Sequence, residues 1–167
     1  MDPVVDPETR DVFSPGELVV VRLGGCRYGL PMNAVAEVGR PPGLTRVPGT
    51  PDWLAGLANW RGRVLAVVDL RGLLDATPLP LDRRSRLVIL HHEGRATGLI
   101  AEAVDGTATP GSEAVEPVLA HLAASGAALL AGQFTDADGP VGVIDLAAVF
   151  ALADTLPRPR RSAAAAS

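Results

Sequence analysis

Residues 54–70 read LAGLANWRGRVLAVVDL, and residues 130–146 repeat them as LAGQFTDADGPVGVIDL with six of 17 positions identical. An upstream pair keeps the same order, since residues 18–35 align with residues 87–104 at seven identical positions of 18. Apolar, β-branched runs broken by Gly-rich or Asp-rich turns are typical of short strands. We therefore predict two similar halves of roughly 70 residues, each forming a small set of strands. Units of this size bury little apolar surface alone, so the halves should pack together and leave a binding cleft between them.

Turn signals locate elements within the first half. Gly24-Gly25 separates two apolar runs, which predicts a hairpin with a primed turn. Proline is tolerated in the first turn of a helix because its missing N–H needs no partner there. We therefore predict a short helix from Pro31 through Val38.

Composition limits the classes of function. The net charge of −4 disfavours binding to nucleic acid, and all fifteen basic residues are Arg, which excludes lysine-based catalysis and a phosphate-loop lysine. The single cysteine, Cys26, excludes an intramolecular disulfide, fits a reducing compartment and is expected as a small buried side chain. The basic clusters at 83–86 and 158–161 are expected as a solvated linker and tail. No segment is apolar enough to cross a bilayer, so we expect a cytoplasmic protein.

The chain divides into one folded segment and two ends. Residues 1–16 are rich in carboxylates and proline and are predicted to be a flexible N-terminal arm. Residues 17–155 are predicted to form the folded domain. Residues 156–167 have no pattern that could bury a face and are predicted to be a disordered tail.

Histidine placement does not favour a metal site. His91 and His92 are adjacent at a strand end, and adjacent strand residues point to opposite faces of a sheet. His121 is thirty residues away, whereas zinc needs three or four converging ligands. Asp136-Ala137-Asp138-Gly139 lacks the later Glu of a calcium loop and is predicted to be a hairpin turn. We expect neither a metal nor a cofactor.

Two aspartates leave an enzymatic alternative open. Asp69 and Asp145 each follow an apolar strand at the same position of the repeat. Together they could act as paired carboxylates in a small β-barrel enzyme, provided that they lie within about 10 Å across one pocket. The simpler interpretation, which we prefer, is that each caps the helical turn after its strand. A nucleic-acid-binding barrel is a further alternative, although six aromatic residues offer little stacking surface.

The repeat also shows where the halves differ. The first half has Asn59-Trp60-Arg61-Gly62 before its strand, and the second has Thr-Asp-Ala-Asp at residues 135–138. Trp60 and Arg61 are therefore not required by a shared barrel and are candidates for an asymmetric function. Equally, Trp60 could fill a local gap in the core while Arg61 pairs with a nearby acid.

Residues 52–74, DWLAGLANWRGRVLAVVDLRGLL, resemble the CheW-like adaptor family, whose members show the pattern xxGxxNLRGxxxPVVDLRxLL. The positions that agree are Gly56, Asn59, Arg61, Gly62, Val67, Val68, Asp69, Leu70, Arg71 and Leu74. Trp60 replaces the usual Leu of the pattern, and Ala66 replaces a frequent Pro. Upstream, the family segment YxLPxxxVxEV is matched at Tyr28, Leu30, Pro31, Val35, Glu37 and Val38. The resemblance covers about 17–155 and is weaker in the second half.

The resemblance implies an all-β fold of two packed five-stranded SH3-like barrels with a few short helices. It also implies a non-catalytic adaptor that binds the cytoplasmic tip of chemoreceptors and the CheW-like regulatory domain of the histidine kinase CheA. The protein would then work at the inner face of the membrane without inserting into it. A scaffold of another receptor–kinase array, such as one for pilus motility, is an alternative that the sequence does not separate.

The resemblance also assigns a partner-binding surface. It falls on Val35, Glu37 and Val38, with Gly56, Arg61 and Gly62 nearby. Glu37 and Arg61 match a family ion pair, and an Arg–carboxylate pair can be bidentate and fix both loops. Val35 and Val38, if exposed, would receive a receptor helix; otherwise they belong to the core.

Overall fold

Ten strands dominate the computed structural model of the chain, which describes residues 16–74, 80–111, 126 and 128–156. Apart from Gly16 and Leu156, the predicted arm and tail lie outside the described residues. The strands are β1 (Leu18–Leu23), β2 (Cys26–Pro31), β3 (Val35–Gly39), β4 (Leu54–Trp60), β5 (Arg63–Val68), β6 (Arg86–His92), β7 (Arg95–Ala101), β8 (Ala103–Ala108), β9 (Leu130–Asp136) and β10 (Gly139–Ile144). A 3₁₀ turn at Met32–Ala34 precedes β3, and a helix, α1 (Leu146–Asp154), follows β10.

The strands form two five-stranded sheets, which confirms the predicted fold class. Sheet A has the order β8-β1-β2-β10-β9, and sheet B has the order β3-β6-β7-β5-β4. The two orders correspond strand for strand, β1 with β6 and β4 with β9, which are the pairs that the sequence repeat aligned. The internal repeat therefore reflects two copies of one sheet topology.

The two sheets are not the two halves of the sequence, and this corrects our expectation that each half forms its own set of strands. Sheet B is built from the continuous run β3–β7, whereas sheet A combines β1 and β2 with β8, β9 and β10. The central pair of each sheet is parallel, β2 with β10 in sheet A and β5 with β7 in sheet B. In sheet A this pair joins strands more than a hundred residues apart, because all the strands of sheet B lie between them in the sequence.

Three apolar cores hold the two sheets together. Sheet A and sheet B each enclose a small cluster, and a larger third cluster lies between the sheets. Alternation along β6 shows how one strand serves two cores, because Leu87 and Ile89 enter the core of sheet B while Val88 and Leu90 enter the central core. This double burial explains why β6 is an unbroken apolar run rather than an alternating one.

The first predicted hairpin is confirmed, but the helix after it is not. Gly24 and Gly25 have φ of 62° and 78°, as a primed turn requires. Only Met32–Ala34 are helical, and Val35–Gly39 form β3, which pairs with β6. Pairing of β3 with the buried strand β6 therefore outweighed the tendency of Pro31 to begin a helix.

Other local expectations have mixed outcomes. Asp145 caps α1 by accepting a hydrogen bond from the Ala148 N–H, and Asp69 Oδ1 accepts one from the Arg71 N–H, as predicted for both turns. Cys26 is exposed, so the expectation of a buried thiol is wrong; it begins β2 beside the open Gly-Gly turn. Within the described residues, no helix is both long enough and apolar enough to cross a membrane.

Candidate protein-interaction site

A tight turn at the tip of the β4–β5 hairpin presents Arg61 and Gly62. Both residues have positive φ, 52° and 78°, and Asn59 Oδ1 accepts a hydrogen bond from the Gly62 N–H at 3.1 Å. Glycine adopts this conformation freely, but a long side chain such as that of Arg61 pays a steric cost for it. The turn therefore holds Arg61 in a conformation that favours smaller residues.

Glu37 on β3 connects this turn to the rest of sheet B. Its carboxylate accepts hydrogen bonds from Arg61 Nε at 2.9 and 3.1 Å, from Arg61 Nη2, and from the Trp60 indole Nε1 at 2.9 Å. Donation by the Arg61 side chain lowers the pKa of Glu37, and the carboxylate in turn raises the pKa of Arg61. The predicted ion pair is thus present and engages both carboxylate oxygens.

Trp60 fills a gap in the core of sheet B, which is one of the two roles that the sequence left open. Its ring packs on that core and lies against Gly39, where an added Cβ would collide with the ring carbon Cη2. Its indole N–H is bound to Glu37. At the equivalent turn of sheet A, residues 137–138 close the predicted hairpin without an aromatic or arginine side chain. Trp60 and Arg61 therefore have no counterpart in the equivalent turn of sheet A.

The remaining predicted residues lie around this cluster at different depths. Val38 is 41 % exposed beside Glu37, whereas Val35 is half-buried and packs against the central core. Gly56 is buried at a φ of 148°, with the Thr45 carbonyl oxygen 2.7 Å from where a Cβ would lie. The structure thus brings Glu37, Arg61 and Gly62 together, whereas the side chain of Val38 points to the opposite face of β3 from that of Glu37. Gly56 lies about 13 Å along β4 from Trp60 and supports the loop at Thr45.

Sequence analysis missed a buried ionic cluster between the two sheets. The Arg71 side chain is 7 % exposed and donates to Asp69 Oδ2 and Glu102 Oε2, each at 2.9 Å. Glu102 Oε1 also accepts the Gly25 N–H at 3.0 Å, so the cluster joins sheet B to the β1–β2 turn of sheet A. The sequence signal that could have indicated this cluster is Arg71, which directly follows the strand end at residues 67–70.

A cleft between the sheets fits the predicted location but not the predicted site residues. It encloses about 760 Å³ and is lined by the end of β1, the start of β8 and the loop before β6. Arg22 and Asp105 form an ion pair on its wall, and Glu102 lies in its lining. The residues predicted to bind partners lie elsewhere, on β3 and the β4–β5 hairpin.

The aspartates considered for catalysis make local structural contacts. Asp69 holds Arg71 and Asp145 holds the first turn of α1, after strands of different sheets, so the paired-carboxylate hypothesis has no support. The His92 ring lies 5.3 Å from that of Phe150, and His121 lies outside the described residues. The described part of the chain contains no group of three or more His, Cys, Asp or Glu able to hold a metal ion.

Comparison with known proteins gives one consistent result. The CheW-like domain family matches residues 17–154. The PilI protein of Pseudomonas aeruginosa is 39 % identical over 85 residues, covering 51 % of this chain and 48 % of that protein. The chemotaxis protein CheW of Klebsiella aerogenes is 26 % identical over 101 residues, covering 60 % and 61 %. These matches span about half to three-fifths of the length of the two relatives.

A solved structure has the same architecture. The scaffolding protein TtCheW from Thermoanaerobacter tengcongensis superposes with a TM-score of 0.71 at 28 % sequence identity. The superposition covers 79 % of this chain and 85 % of that one, so it includes strands of both sheets.

Proposed function

Because the chain belongs to the CheW-like domain family, we propose that it is a scaffold that couples chemoreceptors to a CheA-type histidine kinase. The observation that carries the proposal is the family match over residues 17–154, which spans both sheets. In this role the protein changes no substrate and needs no cofactor. It brings two macromolecules together in the cytoplasm, beneath the membrane that holds the receptors.

The surface proposed for partner binding is the cluster around Glu37 and Arg61. The bidentate pair and the Trp60 indole fix three side chains in one arrangement, so little side-chain freedom remains to be lost on binding. Val38, the next residue of β3, adds exposed apolar surface on the opposite face of the strand. Val35, Gly56 and Gly62 support this surface through the central core, the Thr45 loop and the hairpin turn.

Reconstitution of the kinase tests the proposal directly. Receptor and CheA are mixed with and without the full chain, and the rate of kinase phosphorylation is measured. We expect the chain to change that rate only when receptor is present. The same phosphorylation rate with and without the chain would refute a coupling role.

A second candidate is a scaffold of another receptor–kinase array, such as one for pilus motility. The observation that favours it is the match to PilI, whose identity of 39 % exceeds the 26 % to CheW of Klebsiella aerogenes. Affinity purification of the chain from its own cells would separate the two candidates by which kinase is recovered with it.

A further inference from the structure

Arginines at one end of sheet B differ from the other arginines in the described part of the chain. Outside that end, each described arginine faces a carboxylate: Arg22 pairs with Asp105, Arg27 with Asp136, Arg71 with Asp69 and Glu102, and Arg95 with Asp154. Five others form no ion pair with any described residue, namely Arg40, Arg46, Arg63, Arg83 and Arg86. The unpaired positive charge is thus concentrated rather than scattered.

Pairing of β3 with β6 brings three of these arginines together. The register sets Gly39, the last residue of β3, opposite Leu87, so the backbones of the residues beyond this pair, Arg40 and Arg86, are close in space. Arg86 Nη1 donates to the Arg83 carbonyl oxygen at 2.8 Å, which holds the loop before β6 beside them. Arg40, Arg83 and Arg86 therefore form one continuous basic region.

The β4–β5 hairpin extends this region. Arg63 is the register partner of Trp60, and the Trp60 ring lies against Gly39, directly before Arg40. Arg46 follows Thr45, which bridges to Leu57, about 10 Å along β4 from Trp60. Arg40, Arg63, Arg83 and Arg86 thus lie at the end of sheet B, from the hairpin to the loop before β6, and Arg46 lies farther along β4.

Exposed apolar side chains occur beside the same arginines. Among the described residues, the large hydrophobic side chains that are exposed are Val38 at 41 %, Val64 at 70 % and Leu81 at 46 %. Each is within two residues of an unpaired arginine, Arg40, Arg63 or Arg83 respectively. We name these six residues the basic–apolar surface. Exposed apolar side chains beside arginines occur at protein interfaces, where arginine is enriched relative to the rest of the surface.

We propose that the basic–apolar surface docks an acidic, amphipathic segment of a partner protein. Carboxylates of that segment pair with the unpaired arginines, and its apolar side chains cover Val38, Val64 and Leu81. The inference deepens the proposed function, on which it rests for the partner being a receptor or kinase. It adds the chemistry of the segment and enlarges the surface beyond the Glu37–Arg61 pair.

Charge complementarity favours an acidic protein segment over other polyanions. Among the described residues, the carboxylates on β3 and in the loop before β6 are already held by arginine, Glu37 by Arg61 and Asp82 by Arg84. Arginine suits carboxylates because its planar guanidinium binds both oxygens. The Trp60 indole is occupied by Glu37 and Gly39, so it offers no platform for stacking a nucleic-acid base. The exposed apolar residues lie on strands and a loop, not on an amphipathic helix of the kind that enters a membrane interface.

A model peptide tests the proposal with the full chain. The probe is a helical peptide with Glu on one face and Leu at i, i+3 and i+4 spacing, and its control replaces every Glu with Gln. Isothermal titration calorimetry measures the dissociation constant at low and high salt. We expect binding of the Glu peptide that weakens with salt, and at least about tenfold weaker binding of the Gln peptide.

Two matched double variants assign the binding to this surface. Arg40→Ala with Arg83→Ala removes two arginines of the basic–apolar surface, and Arg27→Ala with Arg95→Ala removes two arginines that lie away from it. Both variants have the same net charge, so a long-range effect would be equal in the two. We expect the first to weaken peptide binding at least about fivefold and the second to leave it within about twofold.

Three outcomes overturn the proposal. They are absence of Glu-peptide binding, equal weakening by the two double variants, and tighter binding of anionic phospholipid vesicles or duplex DNA through the same arginines. The reconstituted kinase assay is independent of this titration. If the kinase assay fails while the peptide results hold, the coupling role is wrong and the acidic docking site remains.

Discussion

At the scale of single residues, the Glu37–Arg61 pair is expected to contribute little to stability. The Arg61 side chain is 74 % exposed, and exposed ion pairs are screened by water and salt. Arg61 also adopts a positive φ that costs energy for a non-glycine residue. The pair therefore fixes the orientation of the Arg61 side chain at the surface and adds little to the free energy of unfolding.

Reversing one charge of this pair should affect binding more than folding. In Glu37→Arg or Arg61→Glu, like charges face each other and the orientation of the turn is lost. We expect about tenfold weaker binding to receptor or kinase in a pull-down, with little change in melting temperature by calorimetry. Arg95→Glu, at the exposed pair with Asp154, is the control. Full binding by a folded Arg61→Glu variant would remove this pair from the interface.

Arg71 should behave in the opposite way, because its charge is buried. Arg71→Met leaves the Asp69 and Glu102 carboxylates without their cation between the sheets. We expect a loss of about 3–5 kcal/mol in the free energy of unfolding, measured by urea denaturation. Arg27→Met, at the more exposed pair with Asp136, should cost less. Equal losses in the two variants would show that the buried cluster has no special role.

At the scale of elements, β3 depends on one glycine for its contact with the hairpin. Gly39 leaves room for the Trp60 ring, and Gly43, in the loop beyond, has nothing within 4 Å of an added Cβ. The position of the ring fixes the indole hydrogen bond to Glu37, so the space at Gly39 controls the geometry of the surface.

Gly39→Ala should therefore displace Trp60, and Gly43→Ala should not. We expect a shift in tryptophan fluorescence emission, weaker partner binding, and a stability cost of about 1–3 kcal/mol for Gly39→Ala alone. Trp53 contributes a constant background to both variants. An unchanged emission spectrum in Gly39→Ala would show that the ring does not need this space.

Elements were predictable from sequence where local signals decided them. The Gly24-Gly25 hairpin and the capping by Asp145 needed only neighbouring residues, and both are confirmed. The strand at β3 was missed because its partner β6 is about 50 residues away, and pairing overrode the local preference after Pro31. The Arg71–Glu102 contact was missed for the same reason, since nothing local shows which carboxylate a lone arginine will meet.

At the scale of the whole molecule, the repeat predicted two matching units but not how they are assembled. Identical positions reveal which strands correspond, and they carry no information on which hairpins share a sheet. The exchange of hairpins between halves, with the large central core, makes the two sheets depend on each other. Neither sequence half contains a complete sheet.

This dependence should produce a single unfolding transition. Val141→Ala in the core of sheet A and Leu65→Ala in the core of sheet B should each lower the melting temperature of the whole domain. Both substitutions create cavities, and we expect each to cost about 1–4 kcal/mol. Differential scanning calorimetry should give equal calorimetric and van't Hoff enthalpies. Two separate transitions would show that the sheets fold independently.

Acid should weaken the fold through its arginine-bound carboxylates. Donation by the Arg61 side chain, the Arg84 backbone N–H and the Arg27 side chain lowers the pKa of Glu37, Asp82 and Asp136, respectively. Their contribution is therefore complete above the ordinary carboxyl pKa and is lost as pH falls through the lower folded values. We expect the urea midpoint to hold from pH 7 to about pH 5 and to fall below about pH 4. Asp136→Asn should reduce this fall, and Asp52→Asn, which breaks no ion pair among the described residues, should not.

Placement of sheet B between β2 and β8 also fixes an order of events on the ribosome. The β1–β2 hairpin is translated early, yet its parallel partner β10 emerges more than a hundred residues later. Sheet B has all of its strands once Ala101 is made and can close first. Until β8 has been made, the LVVV run of β1 has an open edge. The nascent chain, rather than the finished protein, is therefore the form most prone to aggregate.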